Sequence, residues 1–271
     1  MSYRHVDYDQ IAPTYDQRYG ALEYEGIAST LSALARAGSV DRILEVGCGT
    51  GRWLAELQTI APQVYGLDVS LGMLKEADRE LTGRLVCGQA SDLPFSEALF
   101  DLILCVNALH HFDQKQGFIL EARQALLPGG TLAIIGMDPH TRADHWYLYR
   151  YFEGTREKDL ARYPSADSIR EWMTDAGFLQ VRSGVAEHIQ ESLTGREVLQ
   201  SPFLQKHGTS QLAILTDEAY EAGLNRIKAD LEEAETAGRP LRFEVDISLA
   251  LVTGRAPEGV DRNEDYSCLR N

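Results

Sequence analysis

A short apolar run carrying an acid, Ile43-Leu-Glu-Val46, is followed at once by Gly47, Gly49 and Gly51 on alternate positions, and then by Arg52 opening a helical stretch. A strand that stops at such a turn and restarts as a helix brings bare backbone and a helix N-terminus up to a ligand, because glycine has no side chain to hold it off. The next apolar run, Val64-Tyr-Gly-Leu-Asp68, ends in an acid. In doubly wound sheets an acid at the tip of the second strand, roughly 20 residues past the glycines, binds ribose hydroxyls. Asp68 fits that role. The dinucleotide fingerprint G-x-G-x-x-G requires glycine where this chain has Arg52, so the G-x-G-x-G spacing weakens a nicotinamide or flavin reading.

Apolar runs alternate with amphipathic stretches along the chain, which predicts an α/β fold: a doubly wound, mostly parallel sheet with helices on both faces. Strands are expected at Arg42–Val46, Val64–Leu67, Arg84–Cys87, Phe100–Val106 and Thr131–Gly136, with helices near Glu25–Arg36, Gly51–Gln58, Gly72–Glu80 and Gln116–Leu126. Pro128-Gly-Gly130 is read as the turn that feeds the fifth strand. Residues 138–162, with His145-Trp-Tyr-Leu-Tyr-Arg-Tyr-Phe152 at their centre, read as an aromatic-rich cap insertion. The core resumes over 163–193 with a helix from Ser165 to Ala176, N-capped by Ser165 and closed by Gly177, and a sixth strand from Phe178 to Val185. A helical, charged insertion over 194–240 follows, its longest amphipathic part Glu218–Glu235. Arg242–Thr253 alternates as a seventh strand pairing antiparallel with the sixth. The polar stretch 257–271 reads as a disordered tail.

Five segments in the same order carry a resemblance to a known family. They are the glycine turn, Gly88-Gln-Ala-Ser-Asp-Leu-Pro-Phe95, Phe100-Asp-Leu-Ile-Leu-Cys-Val-Asn-Ala-Leu-His-His-Phe112, Leu126-Leu-Pro-Gly-Gly-Thr-Leu-Ala-Ile-Ile135, and Tyr8-Asp-Gln-Ile-Ala-Pro-Thr-Tyr-Asp16. Together they resemble the class I S-adenosylmethionine-dependent methyltransferases, particularly the small-molecule group that includes the quinone-biosynthesis enzymes. The resemblance covers about residues 5–137, extends to 160–185 and thins beyond. It implies a seven-stranded Rossmann-like sheet, S-adenosyl-L-methionine as cofactor and S-adenosyl-L-homocysteine as product.

The resemblance further implies that Glu45 orients the glycine loop, while Gly47, Cys48, Gly49 and Gly51 bring its backbone to the cofactor's amino-acid portion. Asp68 would accept hydrogen bonds from both ribose hydroxyls, two neutral donors matched to a bidentate acceptor. Val69 and Met73 would sandwich the adenine, and Ala90 would offer it a backbone N–H. The family usually has an acid where this chain has Gln89, whose amide oxygen still accepts one hydrogen bond. Tyr8 and Tyr15 either hydrogen-bond the cofactor carboxylate, close over the sulfonium, or simply pack. Asn107, at the end of the fourth strand, faces the methyl-transfer position. His110 or His111 is a candidate general base, since an imidazole titrates near neutrality; the alternative is a lining role. The aromatic cluster Trp146, Tyr147, Tyr149, Tyr151 and Phe152 either walls a substrate cavity or packs the cap on the core, with Trp146, Tyr149 and Tyr151 the candidate substrate-binding rings.

Methyl transfer is an in-line displacement whose leaving group needs no proton, so alignment and exclusion of water dominate. That accounts for a loud cofactor signature beside a quiet acceptor one. The expected activity is methylation of an O, N or C atom of a small metabolite. The alternatives are a methyltransferase acting on protein or RNA, a non-catalytic S-adenosylmethionine-binding protein, and a non-methyl reaction using the sulfonium. The formal charge of −15 disfavours a nucleic-acid partner. No apolar run approaches the ~20 residues of a membrane span, and no signal-like region opens the chain, so a cytoplasmic monomer or homodimer is expected. The cysteines at 48, 87, 105 and 268 lack metal-binding spacing, and no metal is expected.

Overall fold

The computed structural model describes residues 6–13, 15–16, 24–77, 81, 84–141 and 144–258. Five parallel strands form its centre: β1 (Arg42–Val46), β2 (Gln63–Asp68), β3 (Leu85–Cys87), β4 (Phe100–Val106) and β5 (Leu126–Met137). Two residues, His145–Trp146, form β6, and the long strands β7 (Leu179–Thr194) and β8 (Arg242–Arg255) complete the sheet. The order is β3-β2-β1-β4-β5-β8, with β7 along the other edge of β8. Among the described residues the expected seven strands are therefore eight. β5 leaves β8 after the Met137–Leu249 pair, and the chain rejoins the same edge as β6 at Asp246 and Val245. The sixth and seventh strands of the expectation, now β7 and β8, do pair antiparallel.

Period-two alternation sorts the strand side chains into two cores. Leu44, Ile103, Cys105 and Ile134 face one core. There they meet Phe118 and Ile119 of α5 (Lys115–Ala125) and Met173 of α8 (Ala166–Asp175). Ile43, Leu102, Leu104 and Ile135 face the other, against α2 (Glu25–Arg36) and α3 (Arg52–Leu57). On α2 the buried Ile27, Leu31 and Ala35 recur every fourth residue, giving the helix one apolar stripe. Glu187 of β7 caps its start, accepting from the Gly26 and Ile27 N–H groups at 2.7 and 3.2 Å.

Pro128-Gly-Gly130 is not a turn between helix and strand. β5 begins at Leu126, paired with Phe100, and resumes regular pairing at Thr131 with Leu102, so the tripeptide is a bulge with Gly129 at φ +76°. Ser165 does cap α8, accepting from the Ser168 N–H, and Gly177 sits at φ +82° beyond its end. A third core joins α6 (Tyr147–Tyr151), α10 (Asp217–Thr236) and the first half of β8 through Leu148, Phe152, Ile227, Leu231 and Phe243. The remaining short helices are α1 (Tyr8–Ile11), α4 (Leu71–Glu76), α7 (Thr155–Arg162) and α9 (Ser210–Ala213). The helix read as reaching Glu80 ends at Glu76; residues 78–80, and 259–271 of the tail, lie outside the described residues. Cys48 and Cys105 are buried, whereas Cys87 is exposed. Among the described residues no helix is long and apolar enough to cross a membrane.

Candidate active site

The loop after β1 is built on left-handed backbone. Gly47 has φ +77°, and a Cβ there would overlap that of Ala108. Gly49 has φ +55° but open space, its nearest neighbour Tyr15 Cε1 at 3.9 Å. The Gly47 and Cys48 N–H groups donate to the Leu67 carbonyl at 2.7 and 3.1 Å, tying the loop to the end of β2. Asp68 accepts from the Gly49 N–H through Oδ2 and from the Ser70 N–H through Oδ1, each at 2.8 Å. Burial raises its carboxyl above the ordinary range, and backbone donors, Ser70 first, oppose that rise. Each oxygen keeps acceptor capacity toward the cavity.

That cavity, about 400 Å³, opens between the glycine loop, the tip of β2 and the turn after β3. It brings together Gly47, Gly49, Asp68, Val69, Met73, Gln89, Ala90 and Asn107, and Tyr8 and Tyr15 also line it. Val69 is 69 % exposed, an apolar side chain held out on a cavity wall. Asn107 directly follows β4 at φ +51°, a left-handed conformation that marks a special position in a non-glycine residue. Ser91, Phe112 and Gln114 also line the cavity; a serine and a glutamine in loops give no distinguishing pattern.

Glu45 and Cys48 lie behind the loop in a recess of about 30 Å³, with Arg52 and Trp53. Glu45 is buried, its Oε2 has no hydrogen-bond partner, and burial followed by the charge of Asp68 pushes its carboxyl well above the ordinary range. Gly51 lines neither space; at φ +77° it is the residue from which α3 starts. The N-terminal segment is fixed above by Asp9, which accepts from Ser70 Oγ at 2.7 Å and the Gly72 N–H at 2.6 Å, and by Asp16, which accepts from Thr50 Oγ1 at 2.8 Å.

A second cavity of about 130 Å³ adjoins the first, and Tyr8, Tyr15, Asn107 and His111 line both. Tyr8 Oη and His111 Nε2 are 2.7 Å apart. His110 lines only the second, stacked on Tyr163 with ring centroids 3.9 Å apart. Burial, then the neighbouring His111, Arg162 and Lys115, hold its imidazole well below the ordinary value and so neutral. Trp146 faces the cavity, but Tyr149 and Tyr151 do not line it. Tyr149 donates to Asp159 at 2.8 Å and Tyr151 to Asp230 at 2.8 Å, so both hydroxyls are turned into the protein. Tyr147 of the same aromatic cluster does line it, and Tyr163, Gln211 and Glu191, which sequence reasoning passed over, stand on the wall as well.

The methyltransferase-domain family profile matches residues 44–134, from β1 through most of β5. A demethylmenaquinone methyltransferase of Tropheryma whipplei strain Twist is 30% identical over 182 residues, 61% of this chain and 75% of the relative. The O-methyltransferase cnsE of Penicillium expansum is 32% identical over 162 residues, 56% of this chain and 57% of the relative. Among solved structures, a methyltransferase candidate from an antibiotic biosynthesis pathway of Anabaena variabilis has a TM-score of 0.65 at 21% identity, covering 84% of this chain and 96% of that one. At that identity the likeness is one of fold. The chain belongs to the class I S-adenosylmethionine-dependent methyltransferases. It is an enzyme of that class and S-adenosylmethionine is its cofactor. The first cavity fits that molecule: an acid with free acceptor capacity at the end of β2, an exposed apolar wall at Val69, and open backbone at Gly49.

Proposed function

We propose that the enzyme methylates a small molecule held in the second cavity, with the cofactor's reactive end at the junction marked by Tyr8, Tyr15, Asn107 and His111. The observation that carries this reading is that these four residues line both cavities, which makes the junction the place where two bound molecules meet. Bound S-adenosylmethionine supplies an electrophilic methyl group on a positive sulfonium. In this reading Asp68 accepts from the ribose hydroxyls, Val69 and Met73 flank the adenine, and Gln89 and Ala90 address its edge. Glu45, Cys48 and Gly51 act from behind, by holding the loop.

The chain's own part in the chemistry is alignment, dehydration and, for an acceptor that loses a proton, its removal. His111 is the proposed proton acceptor, because it stands at the junction and is hydrogen-bonded to Tyr8. His110 is the poorer base, since its cationic form is strongly disfavoured by burial; it and Trp146 shape the acceptor wall. Residues 138–162 and 194–240 act as the cap that sets specificity. The relatives' names support a small-molecule acceptor, and the charge of −15 supports a reading without nucleic acid. A cytoplasmic monomer or homodimer completes the proposal.

A panel of small O-, N- and C-nucleophiles, assayed with methyl-labelled cofactor, tests the activity. His111→Ala is expected to lower kcat about 10²–10⁴-fold, the usual contribution of a general base, with S-adenosylhomocysteine affinity changed by less than about threefold. No labelled product from any acceptor class, by a native chain that binds the cofactor, would refute the small-molecule reading.

A further inference from the structure

Of the polar groups around the acceptor cavity, Tyr147 Oη and His110 Nε2 are buried without a hydrogen-bond partner, while several others are engaged with one another. Gln211 donates to Asp159 at 2.9 Å and to Tyr163 Oη at 3.3 Å, Ser210 Oγ accepts from Arg162 at 3.0 Å, and Thr209 Oγ1 accepts from the Leu212 N–H at 3.3 Å. Glu191 is different. It lines the cavity, is half-buried, and among the described residues its carboxylate takes part in no hydrogen bond and no ion pair. Its neighbour on the same strand, Glu187, spends its carboxylate on the start of α2. Among the described residues that line the cavity none is Lys or Arg, so nothing there neutralises Glu191. Burial alone raises its carboxyl above the ordinary range, as expected for an acid losing water without gaining a partner.

The sheet register gives this carboxylate a companion. Val245 of β8 is paired on one side with Trp146 of β6 and on the other with Glu191 of β7. Directly opposed residues share a sheet face, so Trp146, Val245 and Glu191 form one row, and all three line the cavity. Two strand spacings separate the indole from the acid, about 10 Å between backbones. An indole face and a carboxylate on either side of a small space are complementary to an ammonium group, which gains from both when desolvated. The row is displaced from the methyl-transfer junction. Asn107, at the junction, donates its N–H to the Ile135 carbonyl, and Ile135 pairs with Leu251, six residues from Val245, about 20 Å along the strand at about 3.3 Å per residue.

We infer that the methyl acceptor carries a protonated amine, seated between Glu191 and Trp146 at the end of the cavity away from the methyl-accepting atom. This rests on the reading of the second cavity as the acceptor site. The same charge pattern rejects acceptors bearing a carboxylate or phosphate at that end, since each would meet an unneutralised acid.

Matched probes test it by calorimetry on the full chain, with and without S-adenosylhomocysteine: 2-phenylethylamine, 2-phenylethanol and 3-phenylpropionate, with the native enzyme, Glu191→Gln and Glu191→Lys. The native chain is expected to bind the amine at least fivefold more tightly than either the alcohol or the acid. Glu191→Gln should reduce the amine-over-acid preference to less than twofold, and Glu191→Lys should reverse it. A native chain that binds none of the probes, or prefers the amine by less than fivefold, overturns the inference, as does a preference that survives in Glu191→Gln. The acceptor panel with methyl-labelled cofactor reads the proposed function separately: no labelled product from any acceptor would remove that reading, while the probe preferences measured without cofactor still report the charge selectivity of the cavity.

Discussion

Three glycines with positive φ separate the conformational cost of the cofactor loop from its steric cost. Gly38, at φ +98°, and Gly49, at φ +55°, both face open space, whereas a Cβ on Gly47, at φ +77°, would overlap the Cβ of Ala108. Alanine in left-handed backbone costs about 1–2 kcal/mol at any of the three. Overpacking adds about 1–3 kcal/mol, and only Gly47→Ala incurs it. The gain from restricting the unfolded chain, about 0.4–1 kcal/mol, is common to all and cancels in the comparison. Gly47→Ala is thus expected to be about 1–3 kcal/mol less stable than Gly49→Ala or Gly38→Ala in urea unfolding, with m unchanged. Ala108 has φ −122° and ψ −30°, which glycine tolerates. The double variant Gly47→Ala/Ala108→Gly should therefore recover the steric part as a coupling energy of about 1–3 kcal/mol, leaving the φ cost in place. Equal stabilities for Gly47→Ala and Gly49→Ala, or a coupling energy below about 0.5 kcal/mol, would refute the claim that close approach of β1 to the end of β4 dictates glycine at 47. Cofactor affinity should divide the other way round, because Gly49 lines the cofactor cavity, where a Cβ would stand 3.9 Å from Tyr15 Cε1.

Asp68→Asn should weaken S-adenosylhomocysteine by ~10-fold or more, about 1.4 kcal/mol, without lowering the melting temperature of the ligand-free enzyme by more than about 2–4 °C, roughly 1 kcal/mol for a chain near this size. The reason is that the native carboxylate is held at a cost from burial. Acid should destabilise the native enzyme through His110: its folded value lies well below the ordinary 6.5, so the unfolded chain binds the extra proton and stability is lost as pH falls below about 6.5. Stability should therefore fall between about pH 7.5 and 5.5, and His110→Gln should lack that part of the loss. Glu45 and Asp68, whose carboxyls are raised, titrate with the opposite sign in both proteins and cancel from the difference.

The half of the enzyme that carries the cofactor cavity was legible because its information is local. Ile43 to Arg52 contains a whole strand, turn and helix start, and the constraint on Gly47 and Gly49 is a property of their own backbone. Asp68 is legible for a related reason: parallel pairing of β1 with β2 in register, Val46 against Leu67, forces the next residue of β2 to the glycine loop. The eighth strand was not legible, since two residues carry no periodicity. Nor was the bulge at Pro128-Gly-Gly130, because the same tripeptide suits a turn or an irregular strand start, and only pairing with β4 decides between them.

The acceptor wall resisted for a different reason. Trp146, Tyr147, Tyr149 and Tyr151 have similar chemistry in sequence, yet their roles are divided by partners far along the chain. Asp159 is fully buried and accepts from Tyr149, Arg162 and Gln211; Gln211 reaches Tyr163, and Tyr163 stacks on His110. A buried carboxylate left short of donors is costly, so Asp159 draws Tyr149 away from the cavity and fixes Gln211 and Tyr163 as its wall. Asp230, on α10, does the same to Tyr151. What an aromatic cluster does is therefore decided by which acids the fold brings beneath it. The same logic isolates Glu191: Asp159 and Asp230 hold donors of their own, and among the described wall residues Glu191 is the acid that no hydrogen bond or ion pair engages, the charged group left to address the acceptor.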